Sequence, residues 1–96
     1  YYFTLVTSEP MTMTPTPIKR TQTGVRIESS ILKVLKGLAE YTEMSLGDLL
    51  EGIVLHAFEG KAPFSPATRK VIDQLKAVYG CELTAADSHQ LVESDA

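Results

Sequence analysis

The chain has 96 residues, of which 44% are hydrophobic, and a net charge of −3. This length allows one small domain with a thin core, so association with a second copy is a reasonable source of stability. One cysteine excludes an internal disulfide framework, and no apolar run reaches the length needed to span a membrane. No basic segment precedes an apolar one as in a signal peptide, so we expect a cytoplasmic protein without membrane contact.

Residues 1–19 are predicted to form a flexible arm. Residues 10–18 are rich in threonine and proline, and proline lacks the backbone donor that regular structure needs. The first residue is Tyr1 rather than methionine. We therefore expect that the chain has been cut or that the arm carries residues added to the natural protein. Met11 and Met13 are the candidate natural starts.

Residues 22–27 are predicted to form one short β-strand. Thr23, Val25 and Ile27 alternate with Gln22, Gly24 and Arg26, and alternating side chains point to opposite faces of a strand. No second convincing strand follows, and a lone strand leaves both of its edges unpaired. We therefore expect pairing with the same strand of a second copy, across a two-fold axis.

Two amphipathic helices are predicted after the strand. The first begins near residues 28–30, where a serine is expected to cap it, and carries apolar residues at helical spacing. Gly37 within it is either a tolerated weakness or a place of close helix contact. The second helix begins after Ser45, with Asp48 three residues on as a variant of the capping box. The predicted dimer core comprises Val25, Ile27, Leu35, Leu38, Leu49, Leu50, Ile53, Val54 and Phe58.

Residues 20–59 resemble the ribbon-helix-helix family of DNA-binding proteins, the Arc and MetJ type. The resemblance rests on Val25-Arg26-Ile27, on a helix ending near Met44-Ser45, and on Asp48-Leu49-Leu50 opening the next helix. It implies a mainly α fold with one strand, in an intertwined homodimer whose two-stranded antiparallel ribbon enters the major groove. By this resemblance, the base-facing positions are Gln22, Gly24 and Arg26, and the backbone amides of Ser45, Leu46 and Gly47 contact phosphate.

A third amphipathic helix is predicted after the family-like core. Gly60 ends the second helix, Ser65 and Pro66 begin the third, and Gly80 ends it. We expect residues 60–80 to cover exposed core, to extend the dimer or to hold another protein. Residues 81–96 are predicted to be an acidic, frayed tail with one weak helical turn at residues 89–92.

The net negative charge argues mildly against a nucleic-acid partner, but the distribution of charge along the chain favours one. Residues 19–36 contain five basic residues, which are Lys19, Arg20, Arg26, Lys33 and Lys36, against Glu28 alone. We expect Lys19, Arg20, Lys33 and Lys36 to contact phosphate, although chance clustering on a solvated surface is the alternative. A helix-turn-helix arrangement fits less well, because the polar face of the second helix carries Asp48, Glu51 and Glu59.

Sequence motifs for catalysis or cofactor binding are absent. There is no glycine-rich phosphate loop and no zinc-protease motif, and the spacing of His56, Cys81 and His89 matches no common zinc site. We expect no enzyme, metal or cofactor. The leading hypothesis is a dimeric, sequence-specific transcriptional regulator or repressor that binds double-stranded DNA, with pairing of dimers left open. The alternative is a dimeric, antitoxin-like interaction module that binds a protein partner through residues 66–96.

Overall fold

A computed structural model describes residues 15–94, and this part of the chain forms a small all-helical fold. Three α-helices follow one another: α1 (Ser29–Thr42), α2 (Leu46–Phe58) and α3 (Pro66–Tyr79). A short 3-10 turn, Ala85–Asp87, comes after them. The predicted bounds of α2 and α3 are confirmed, because their caps and apolar periodicity are local features of the sequence.

The predicted strand is wrong, and with it the ribbon-helix-helix fold and its intertwined ribbon. Residues 15–28 contain no regular secondary structure, and Val25, expected in the core, is 74% exposed. A strand is held by backbone hydrogen bonds to a neighbouring strand, and no segment among residues 15–94 provides one. The alternation of side chains therefore indicated an extended segment but not its pairing.

Each helix begins with a side-chain cap. The Glu28 carboxylate accepts a hydrogen bond from the backbone N–H of Ile31 at 2.9 Å, so a glutamate takes the position expected for a serine in α1. This carboxyl also accepts the Ser30 hydroxyl, and the hydrogen bonds from Ser30 and Ile31 lower its pKa. At α2, Ser45 accepts from the N–H of Asp48, which confirms the predicted cap.

All three helices end with a left-handed residue close to their last turn. Glu43 has φ 59°, Gly60 has φ 70° and Gly80 has φ 67°. In each case the residue after the left-handed one donates its backbone N–H to the carbonyl five residues before it. For α1 this bond joins Met44 N to Ala39 O at 3.0 Å. The predicted stops at Gly60 and Gly80 are confirmed, whereas at Glu43 a residue with a Cβ adopts this conformation.

The core is thin and lies where α2 and α3 pack against α1. Leu38, Ala39 and Leu49 form its buried cluster. Leu35, Ile53, Phe64, Val71, Ile72 and Leu75 pack around this cluster and remain partly exposed. Within the described residues only Val34 and Cys81 are further buried apolar side chains. A core this small leaves a single copy of the domain marginally stable.

Gly37 lies at the contact between α1 and α3. A Cβ added there would stand 3.0 Å from Leu75 Cδ2 and 3.6 Å from Tyr79 Cε2. Of the two interpretations of this glycine, the structure supports the close helix contact. The third helix therefore covers part of the core, as one of its expected roles requires.

The C-terminal segment differs from the predicted tail both in its first residue, Cys81, which is buried, and in the position of its turn. The 3-10 turn lies at Ala85–Asp87 rather than at residues 89–92, and the Asp87 carboxylate accepts the N–H of Thr84 at 2.8 Å. The predictions for most of the arm and for the starts at Met11 and Met13 lie outside the described residues.

We predict that Glu43→Gly stabilises the protein by about 0.5–1 kcal/mol, because glycine adopts positive φ without the steric cost of a Cβ. The midpoint of urea unfolding at fixed protein concentration measures the change. Gly80→Ala is the matched control and should lower stability by about 1 kcal/mol for the same reason. A lower midpoint for Glu43→Gly would contradict the assigned backbone conformation.

Candidate interaction surface

Helix α2 presents an apolar ridge to solvent. Leu46, Leu50, Val54 and Phe58 are spaced four residues apart and therefore follow one row along the helix surface. Their exposure increases toward the end of the helix: Leu46 and Leu50 are half-buried, Val54 is 43% exposed and Phe58 is 79% exposed. We call these four residues the outer ridge. It carries no charge and no polar side chain.

The neighbouring row of α2 explains why the outer ridge is left uncovered. Leu49 is buried and Ile53 is half-buried, and both pack against the α1 cluster. A helix can turn only one side toward a body this small, so α2 uses the Leu49–Ile53 side and leaves the next row in water. A large apolar surface in water commonly marks an interaction site.

Other exposed apolar side chains lie on α2 and at the end of α1. Leu55 is 62% exposed, and Tyr41 and Met44 precede α2 with exposed side chains. The predicted core omitted Leu55, which lies off the apolar stripe, on the side that carries Asp48 and Glu51, and its exposure agrees with that omission. One sequence signal did point to surplus apolar surface, because α2 contains more leucine, isoleucine and valine than one side of a helix can bury.

The extended N-terminal segment is fastened to α2 by Arg20. Its Nε donates to Glu51 Oε2 at 2.9 Å and its Nη2 donates to Glu51 Oε1 at 2.8 Å. Asp48 Oδ1 lies 3.6 Å from the same nitrogen, Nη2. Hydrogen bonds from Arg20 lower the pKa of Glu51, and the contact raises the pKa of Arg20. The pair is exposed, so it positions the segment more than it stabilises the fold.

The predicted base-reading residues and most of the predicted phosphate contacts are exposed, but both arginines among them are paired with carboxylates. Gln22, Gly24 and Arg26 are exposed on the extended segment, and Arg26 forms an ion pair with Glu93 of the C-terminal segment. Arg20 is occupied by acidic groups of α2. Lys19, Lys33, Lys36, Ser45 and Gly47 are exposed, and Leu46 is half-buried.

The predicted dimer-core residues divide into three groups. Leu38 and Leu49 are buried within the single chain. Ile27, Leu35, Leu50 and Ile53 are half-buried. Val25, Val54 and Phe58 are exposed. The last two groups include the outer ridge apart from Leu46. These residues are accessible to a second copy in the single chain, and their place in a dimer interface remains a prediction.

Residues 15–94 hold neither a metal cluster nor a membrane-spanning helix. No group of three or more histidine, cysteine, aspartate or glutamate side chains is arranged there to hold a metal ion. None of the helices in this range combines the length and the apolar character that crossing a membrane demands.

Comparison with known proteins finds no matching family model, no matching curated protein and no matching solved structure.

We predict that Glu51→Gln releases Arg20 from α2, because the neutral amide cannot accept both guanidinium hydrogens as a carboxylate does. The NMR signal and exchange rate of the Arg20 Nε–H report the contact. Since Arg20 lowers the pKa of Glu51, the contact is complete above the ordinary glutamate value of about 4.3 and is lost as the pH falls through the lowered pKa.

Glu40→Gln is the control, since Glu40 is an exposed glutamate on α1. This substitution should leave the Arg20 signal unchanged. An Arg20 Nε–H that exchanges equally fast in the wild type and in Glu51→Gln would show that the contact does not form in solution.

Proposed function

We propose that this chain is a protein-interaction module that associates with a second copy through the outer ridge of α2. The observation that carries the proposal is the exposure of Val54 and Phe58 on a helix whose other apolar side already fills the core. The α-helical body supports this function without the ribbon that the sequence suggested.

Burial of the outer ridge would supply free energy that the single chain lacks. Covering a large apolar side chain contributes about 1.5–3 kcal/mol. Association costs several kcal/mol in lost freedom, and a stable interface usually buries at least about 1,000 Å². The outer ridge extends along a helix about 20 Å long, and the exposed Tyr41 can add to the buried area.

A second copy is the favoured occupant because the outer ridge is complementary to itself. In an antiparallel pair centred near residue 52, Leu46 faces Phe58 of the partner subunit and Leu50 faces Val54 of the partner subunit. Each contact then occurs twice, as a two-fold axis requires. Ridges formed by residues four apart pack into one another at about −50°, the commonest helix crossing in globular proteins.

DNA binding remains a prediction and is not the function proposed. The five basic residues between Lys19 and Lys36 favour it, but Arg20 and Arg26 are paired with Glu51 and Glu93. An anionic partner would have to displace these carboxylates. A cytoplasmic location and the absence of catalysis likewise remain predictions from the sequence.

We predict that Val54→Asp dissociates the dimer, because the two-fold axis brings two carboxylates into one apolar interface. The dissociation constant should rise at least about 100-fold, equivalent to about 2.7 kcal/mol. Sedimentation equilibrium at protein concentrations spanning two decades measures it.

Val78→Asp is the matched control, because Val78 is an exposed valine on α3, away from the outer ridge. This variant should associate like the wild type. A wild-type chain that remains monomeric at the highest concentration would refute self-association. Equal association of the wild type and Val54→Asp would remove the outer ridge from the interface.

For nucleic acid, we predict little binding of mixed-sequence duplex DNA, because acidic partners occupy two of the candidate contacts. Fluorescence anisotropy at 50 and 200 mM salt tests this. Tight binding that weakens steeply with salt and is reduced in Arg26→Ala would instead support the DNA-binding regulator.

A further inference from the structure

We infer that a cleft beside α2 is a binding site for a small, uncharged aromatic molecule that carries one hydrogen-bond donor. The cleft has a volume of about 340 Å³ and is half-open to solvent. This volume lies at the lower end of the range for small-molecule sites, about 300–1,000 Å³. It is bounded by the α1–α2 turn, one side of α2, the loop after α2 and the first turn of α3.

The floor of the cleft is apolar. Met44, Leu49, Ile53, Pro63 and Phe64 line it. Gly52 forms part of the α2 wall, and a Cβ added there would meet no atom within 4 Å. The missing side chain therefore leaves space that a flat ring can occupy.

His56 on the rim of the cleft can accept a hydrogen bond from a donor on the ligand. His56 Nδ1 lies 2.7 Å from the carbonyl oxygen of Gly52, and because a carbonyl only accepts, Nδ1 carries the hydrogen. The neutral ring then keeps Nε2 as an acceptor. The hydroxyls of Thr42 and Ser65 already donate within the chain, to Leu38 O at 2.8 Å and to Thr68 Oγ1 at 3.1 Å.

Charge excludes anions from this cleft. Asp48 contributes a carboxylate to the lining, and no lysine or arginine lines it. An anionic ligand would lose hydration on the apolar floor and find no lysine or arginine in the lining to replace it. A cationic ligand gains little, because Arg20 already lies 3.6 Å from Asp48. A neutral ring with an N–H or O–H fits the remaining chemistry.

The cleft and the proposed dimer surface lie on opposite sides of α2. Two helical positions separate Gly52 from Val54, which is a rotation of about 200°. Ligand binding therefore does not depend on self-association, and the two inferences can fail separately.

The test is a titration of the full chain with indole, followed by ¹H–¹⁵N chemical shifts. Shifts should saturate and concentrate on cleft residues such as Gly52, His56 and Phe64. Benzoate, a ring of similar size with a negative charge, should cause no saturating shifts over the same range. No saturation with indole up to its solubility limit, or shifts centred on Val54 and Phe58, would overturn the inference.

Gly52→Leu should weaken indole binding at least about tenfold, because its side chain fills the cleft. Gly24→Leu is the matched control on the exposed segment, where an added Cβ also meets nothing within 4 Å, and it should bind like the wild type. Circular dichroism verifies that both variants fold. Unchanged affinity in folded Gly52→Leu would refute the site.

The role of His56 has a separate readout. In the wild type, 1-methylindole should bind more weakly than indole, since it lacks the N–H donor. In His56→Leu the two ligands should bind equally, because the acceptor is gone. A preference for indole that survives in His56→Leu would show that His56 does not accept the hydrogen bond.

Discussion

The packing of Leu38 and Ala39 on Leu49 determines how the rest of the molecule is arranged. This contact joins α1 to α2, and α3 covers its flank through Leu75 and Tyr79 at Gly37. Because the buried cluster is small, it can accept only one row of side chains from α2. The neighbouring row, from Leu46 to Phe58, stays in water for the same reason. The thin core and the exposed outer ridge are therefore two consequences of one geometric limit.

The two proposed interactions use different sides of α2. The outer ridge is uncharged and convex, which favours a second helix, and its four-residue spacing matches an antiparallel copy of itself. The opposite side, at Gly52 and His56, is concave because glycine contributes no side chain and the loop after α2 folds alongside. Convex apolar surfaces suit macromolecules, whereas small clefts with one polar acceptor suit small molecules.

Electrostatic contacts connect the irregular ends of the chain to the helical body. Arg20 joins the N-terminal segment to Glu51 of α2, and Arg26 joins it to Glu93 of the C-terminal segment. Such exposed pairs contribute little free energy each, but they place carboxylates over the arginines that a nucleic acid would need. The excess of basic residues between Lys19 and Lys36 is thereby partly neutralised by carboxylates that lie far away in the sequence but close in the folded chain.

Local interactions made the helices predictable from the sequence. The caps at Ser45 and Ser65, the left-handed glycines at Gly60 and Gly80, and the four-residue apolar spacing all act within one or two turns, so the bounds of α2 and α3 were predicted correctly. The strand at residues 22–27 was predicted wrongly. Alternating side chains do not specify the second strand that must pair with such a segment. The Arg20–Glu51 contact spans 31 residues, and the choice of Leu49 over Val54 for the core depends on where α1 lies. The sequence by itself determined where α2 and α3 begin and end; only the tertiary structure decided which side of α2 is buried, because that depends on contacts between segments far apart in the chain.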